Sequence, residues 1–388
     1  MNAAQSRLWP RPTEDEDYTV QVSNLLVDGV PLEFSCVVTV MDPAVSGPDT
    51  ILPTISGPDS VVAYRPQTYS FDPVPTATGY QWRATRRALL TDVEGAESGT
   101  GNFDVETSPG YSIIVNSPVA TGNGAFHLAH STSVNQYLTD ARELAVVESD
   151  AELQFASRLG VATSDQVARV QISLDRTNWE DVYVQAGDGQ PGETSFQTRT
   201  IPLGSYVDRI IAIRFAYTFR DGFFFAQTLS GIGWYIDDIE YSGVEELTDS
   251  VDTDLPSGTS FDFTAEGGGE YALVARAEVY DEFLLDWGIV RRVTAIELPP
   301  LDVSLTDPND DGLPDITDAV ALLEYLFLAA PLRCPNEGNV NGDTELDIID
   351  VLYLLQCQFG DGVCPPVGCS TVPLHEVLFP CQPSQHCP

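Results

Sequence analysis

The sequence predicts a mainly β chain that closes in a small helical module, and three observations predict it. Short runs of alternating apolar and polar residues, separated by Gly, Pro, Asn and Asp clusters, recur along most of the 388 residues. The middle of the chain carries no sustained helical period. Near the carboxyl end, an acidic stretch of twelve residues followed by an apolar run at helical spacing occurs twice.

The elements follow in order. Residues 18–40, YTVQVSNLLVDGVPLEFSCVVTV, are two alternating runs around Asp-Gly, a hairpin signal. Residues 1–45 therefore read as the final hairpin of a β domain that begins upstream. A Pro- and Gly-rich linker follows. SVVAY, TYSFDP and GYQWRATRR give three short strands, and TSFDFTA, GEYALVARAEV and LLDWGIVRRVTAI give three more. Neither set suffices for a sandwich. Together, residues 50–109 and 244–300 supply the strands of an immunoglobulin-like sandwich in two halves. Trp82 would be its core aromatic, and Tyr271 would sit near a late corner. The other reading is two unrelated β segments flanking a middle domain. Residues 110–243 alternate throughout, in VARVQISLD, EDVYVQAG, FQTRTIPL, IIAIRFAYTF and GWYIDDIEYS. They are expected to form a two-sheet jelly roll inserted into the sandwich. On the last of these runs Asp237 and Asp238 are neighbours, so one should face inward. A buried aspartate needs a cation or several donors. A structural calcium is one candidate; backbone N–H groups or Arg214 are the other.

DPNDDGLPDITD, residues 307–318, crowds carboxylates that repel one another unless a cation sits among them. Its spacing matches a calcium loop with oxygens at positions 1, 3, 5, 7, 9 and 12 and glycine at 6. Asp307, Asn309 and Asp311 fill the first three positions and Gly312 makes the turn. Leu313 offers its carbonyl, Asp315 acts directly or through water, and Asp318 closes the ring. Ala319, Leu322, Leu323 and Leu326 then share one helical face. NVNGDTELDIID repeats the unit 32 residues on (339 minus 307), with Asn339, Asn341, Asp343, Glu345, Asp347 and Asp350 at the same positions. Its helix carries Val351, Leu354, Leu355 and Phe359 on one face. Hard oxygen ligands in this number favour Ca2+ over Mg2+.

The formal net charge of -40, with 18 basic residues and no lysine, argues against nucleic-acid partners and anionic membranes. No apolar run is long enough to span a bilayer, so no membrane insertion is expected. The opening residues lack a signal-peptide core and read like the interior of a β protein, which points to a fragment or mis-started product of a longer secreted chain. Cys334, Cys357, Cys364, Cys369, Cys381 and Cys387 crowd the carboxyl end, whereas Cys36 stands apart. Six cysteines there read as up to three disulfides in an oxidising compartment, extracellular or at the cell surface. Zinc is the rival reading, disfavoured by the absence of paired CxxC spacing.

Two resemblances follow from these residues. QISLDRTNWEDVYV, RIIAIRFAYTF and GWYIDDIEYS, with the Ser173, Asp175 and Trp179 turn, resemble the MAM-type, concanavalin-like jelly rolls that accompany immune-inhibitor-A-type secreted peptidases. That likeness implies an accessory binding or packing module. The duplicated loop–helix, about residues 304–361, resembles the type I dockerin domain. It implies two helices packed antiparallel around paired calcium sites in residues 302–366, with 367–388 as a cysteine-rich tail. Pro314 removes an N–H that would link the loops, and Thr344 replaces the second turn glycine. With Asn339 in place of a carboxylate, the second site is expected to be the weaker. Dockerin partner recognition implies a role for loop positions 10 and 11, here Ile316 and Thr317, and Ile348 and Ile349. Three of the four are aliphatic, which points away from a standard cohesin and toward a cohesin-like partner or a neighbouring domain.

No catalytic set emerges. His127 and His130 form HLAH without the glutamate of a zinc-peptidase helix, and no GxSxG, Walker or dinucleotide motif is present. The sequence thus predicts a secreted or cell-surface, non-catalytic protein. Its calcium module would anchor it to another protein, and its jelly roll would serve adhesion or glycan contact. The alternatives are the accessory carboxyl-terminal part of a secreted peptidase or glycoside hydrolase, and a carbohydrate-binding module.

Overall fold

The computed structural model describes residues 16–27, 30–40, 52–75, 77–189, 191–226, 231–279, 283–298, 301–332, 334–341, 343, 345–360 and 368–372. The chain is mainly β, with two α-helices among these residues, both near the carboxyl end. Contacts divide it into two units. The first comprises Met1–Asp59, Thr68–Phe263 and Glu270–Val293; the second comprises Ser60–Gln67, Thr264–Gly269 and Thr294–Pro388.

In the first unit, strands Glu16–Val27 and Val30–Val40 pair antiparallel, with the register slipping between Val22 and Leu25. The bulk is a sandwich of two sheets. One runs in the order 180–186, 166–173, 210–219, 143–146, 244–255, 77–89, 269–279, and strand 136–140 also pairs with 210–219. The other runs 197–202, 152–159, 234–242, 125–128, 114–115. Strands Gln166–Ser173 and Glu152–Leu159 alternate buried with less buried residues, the period-two pattern of a sheet with one face inward. Strand Ile210–Phe219 is different. Seven of its ten residues are buried, which suits the continuous apolar run IIAIRFAY at a central position.

The core fills the space between the sheets. Phe215 from one sheet meets Phe155 and Trp234 from the other, with ring centroids 5.1 and 5.8 Å away. All three are fully buried, and Trp234 donates its indole N–H to Ser157 Oγ at 2.9 Å. Aromatic side chains of this size dominate core energetics, and the buried indole N–H has the partner it needs. Strand Ala77–Leu89 pairs on one side with Val244–Leu255 and on the other with Gly269–Val279. Trp82 on this strand is half-buried and stacks on Phe261 at 4.3 Å, while Tyr271 is buried against Phe263 at 5.4 Å.

The second unit holds the helices α1 (Ile316–Leu328) and α2 (Ile348–Phe359). Each begins on an aspartate N-cap, Asp315 or Asp347, that accepts a hydrogen bond from the N–H two residues on. In each, the aspartate three residues after the cap, Asp318 or Asp350, reaches back to the cap's own N–H. This reciprocal capping satisfies donors that a helix start otherwise leaves open. Ala319, Leu322, Val340, Val351 and Leu354 form the core between the helices, with Leu323, Leu326 and Leu355 partly buried against it. Phe359, expected on the inner face of α2, is instead 70% exposed. It is the last residue of α2 and lies beyond the core that Val351 and Leu354 reach. The backbone of Leu301–Leu305 pairs antiparallel with that of Gly368–Val372. Strand Ser60–Val62 runs parallel to Thr294–Ile296.

Candidate functional site

The duplication seen in the sequence is repeated in local hydrogen bonds at positions 3, 5, 9 and 12 of the two loops. At position 3, Asn309 Oδ1 accepts from the Asp311 N–H (2.9 Å) and Asn341 Oδ1 from the Asp343 N–H (2.8 Å). At position 5, Asp311 and Asp343 each accept from the N–H two residues on, both at 2.9 Å. At position 9, Asp315 and Asp347 cap their helices, both at 2.7 Å. At position 12, Asp318 and Asp350 accept from the N–H of the capping residue, at 2.7 and 3.0 Å. Gly312, at φ +79°, makes the turn that position 6 requires.

Burial concentrates at the ends of the loops. Asp307, Asp318 and Asp350 are buried; Asp311, Leu313, Asp315, Asp343 and Glu345 are exposed, and Asn309, Asn339, Asn341 and Asp347 are intermediate. Asp307 accepts from the Asp311 and Gly312 N–H groups at 3.1 and 2.9 Å. Burial pushes its carboxyl above the usual range. Asp318 is pushed up to about 6, chiefly by burial, with the charges of Asp307 and Asp311 adding to the effect. Its Oδ2 accepts the Asp315 N–H, and the Asn309 N–H also acts on the carboxyl, but no well-formed hydrogen bond reaches the buried Oδ1. Asp350 is also raised by burial. Its two oxygens accept three N–H groups, from Val340, Asn341 and Asp347. Among the described residues, no three His, Cys, Asp or Glu side chains stand together as a metal-holding group. The acidic side chains are spread along the loops and closed on backbone N–H groups. Thr344 lies outside the described residues, as do Cys364, Cys381 and Cys387.

Around these loops the exposed apolar residues also obey the repeat. Ile316 corresponds to Ile348, Val320 to Leu352 and Phe327 to Phe359, and all six are exposed. A groove of about 460 Å3 runs past Pro314, Ile316, Leu354 and Phe359.

In the first unit, Asp237 faces inward and is fully buried. It is met by the N–H groups of Ala120, Thr121 and Asp238. Arg214 is elsewhere, its guanidinium 4.4 Å from the Tyr137 ring and 4.1 Å from the Trp179 ring. His127 and His130 are buried and stacked, on Tyr235 at 4.1 Å and Tyr217 at 4.5 Å. Burial lowers each to about 4. A second groove, of about 270 Å3, is lined by Asp175, Asn178, Trp179, Glu180, Tyr206 and Asp286. Sequence reading singled out Asp175 and Trp179 of this set as a turn. It had no means of bringing Tyr206 and Asp286 to them, since 107 residues separate Asp286 from Trp179 (286 minus 179).

No family model and no curated protein matches the chain. The chain is similar over part of its length to several solved structures. One is the CBM32-1 module of a family 31 glycoside hydrolase from Clostridium perfringens, at 18% identity over 39% of this chain and 96% of that one, with a TM-score of 0.22. Another is a carbohydrate-binding module of the β-sandwich superfamily, at 12% identity over 49% and 96%, with a TM-score of 0.27. A third is the enzymatically active domain of bacteriophage CBA120 tailspike protein 4, at 14% identity and a TM-score of 0.23; the match covers 39% of this chain but only 21% of the tailspike. At these scores the likeness carries no function across. Among the described residues, no helix is long and apolar enough to cross a membrane.

Proposed function

We propose that the chain is a secreted or cell-surface, non-catalytic protein whose helical unit takes up two calcium ions and anchors to a protein partner, while its sandwich serves adhesion or carbohydrate contact. One observation carries the calcium reading: Asp318 is buried and ionisable, and no well-formed hydrogen bond reaches one of its oxygens. A buried unpaired carboxylate is costly unless a cation or donor meets it. The donor set fits a hard cation, because every candidate atom is an oxygen.

Asp307, Asn309, Asp311, the Leu313 carbonyl, Asp315 and Asp318 would hold the first ion. Asn339, Asn341, Asp343, the Glu345 carbonyl, Asp347 and Asp350 would hold the second. Bound calcium would supply the positive charge that these loops lack. The chain's own part is to keep the first loop turned at Gly312 and the helices capped at Asp315 and Asp347; the acidic side chains, now spread along the loops, would have to gather on the ion. Partner contact would fall to the exposed aliphatic and aromatic residues around Ile316, Ile348 and Phe359. Cys334 and Cys357, each disulfide-bonded, support an oxidising compartment.

Calorimetric titration of the metal-stripped full chain with calcium tests this reading. Two sites of unequal affinity are expected, the weaker at the Asn339 loop, and Asp318→Ala should remove the tighter one. Absence of any saturable heat would defeat it.

A further inference from the structure

We propose that the groove beside Trp179 binds one ring of a neutral sugar. This rests on the reading of the sandwich as a contact module, and it adds a location and a ligand class.

The groove joins three stretches of chain in the first unit. The turn after strand 166–173 brings Asp175, Asn178, Trp179 and Glu180; the short 3-10 turn Gly204–Tyr206 brings Tyr206; the segment before strand 291–296 brings Asp286. Its aromatic walls are held in place. The Trp179 indole N–H donates to the Arg176 carbonyl at 3.2 Å, and Arg214 stacks on the ring at 4.1 Å. Tyr206 donates its hydroxyl to Glu180 Oε2 at 3.2 Å. A binding surface whose rotamers are fixed beforehand loses less entropy when a ligand arrives.

The polar atoms in the groove select the ligand. Asp175 is used up by its own turn, accepting from Ser173, Thr177 and Asn178. Asn178 spends one side-chain N–H on Asp175 and keeps the other together with its carbonyl oxygen. Glu180 gives one oxygen to Tyr206 and keeps the other. The lining therefore offers more acceptors than donors, and it calls for a ligand whose groups mainly donate. A cation would donate, but positive charge already stands around the groove. Arg214 backs Trp179, its guanidinium 4.1 Å from the ring. A neutral ligand that pairs hydroxyl donors with an apolar ring face meets both the acceptors and the indole. That is the chemistry of a pyranose. The volume, about 270 Å3, falls just under the roughly 300 Å3 at which drug-sized pockets begin, so the groove suits one ring rather than a buried chain.

The test uses the calcium-loaded full chain and four neutral probes: cellohexaose, xylohexaose, mannohexaose and galactohexaose. Binding is followed by calorimetry, with spermidine as the cationic control. At least one sugar should bind saturably at millimolar concentration. Trp179→Ala should weaken that binding about tenfold, the ordinary cost of losing an aromatic anchor. Trp179→Phe keeps a ring and should retain most of it, which guards against a misfolded alanine variant. Glu180→Gln should leave it nearly unchanged, because the amide still accepts. Sugar binding that survives Trp179→Ala would overturn this location and leave carbohydrate contact by the sandwich standing. No binding of any sugar overturns both. Saturable spermidine binding lost in Glu180→Gln, without sugar binding, would show a cation site instead.

Discussion

Asp318 and Asp350 occupy the same loop position 32 residues apart (350 minus 318), yet they are satisfied differently. The Asp350 carboxylate accepts three backbone N–H groups, whereas Asp318 Oδ1 is buried with none. The second site is therefore the better supported by its own backbone, and the first is the more dependent on an added charge.

Removing the two carboxylates should accordingly have unequal effects without calcium. Asp350→Ala would strand the N–H groups of Val340, Asn341 and Asp347, and each buried donor left open costs about 1–3 kcal/mol. Asp318→Asn should cost less, because it removes a poorly satisfied charge. Urea denaturation of both variants in chelator, followed by a probe in the helical unit, will show the order.

The helical unit should respond to pH in a specific direction. The carboxyl of Asp318 sits at about 6 in the folded chain against an ordinary 3.8. The folded state thus holds the proton more tightly, and in chelator stability should fall as pH rises from about 4 to about 6. Asp318→Asn should flatten the slope in that window. Thermal melts of wild type and variant across it are the measurement.

The sandwich should respond in the opposite sense. His127 and His130 titrate at about 4, below the ordinary 6.5, because burial disfavours their charged forms. The unfolded chain takes up these protons first, so stability should fall as pH drops from 6.5 toward 4. The imidazole C2–H resonances of both residues should stay unshifted down to about pH 5 in an NMR titration.

Core truncation should separate the aromatic cluster from the helix surface. Trp234→Ala removes a fully buried ring between Phe155 and Phe215 and should cost about 3–5 kcal/mol. Phe359→Ala removes a side chain 70% exposed and should stay within about 0.5 kcal/mol. If Phe359 contacts a partner, its loss will appear in binding rather than in the melt.

Much of the fold was legible because periodicity reports burial. The alternation in VARVQIS became a strand buried on one face, and the spacing of Ala319, Leu322, Val351 and Leu354 became the core between two helices. The loop registers were legible as well, since an acidic repeat constrains local backbone. What stayed hidden depends on distant chain segments meeting. The ion pair of Arg142 with Asp140, buried beneath Tyr241, gave no sequence signal, because Tyr241 comes from a strand about a hundred residues on.

The two-strand ribbon of Leu301–Leu305 with Gly368–Val372 has a mechanical consequence. Leu301 faces Val372 and Leu305 faces Gly368, so the chain enters and leaves this segment at the same end of the ribbon. Tension applied there opens the rungs one after another, like a peeled seam, because each antiparallel rung lies perpendicular to its strand. Helices α1 and α2 lie between the two strands in sequence and would carry no load until the last rung parted.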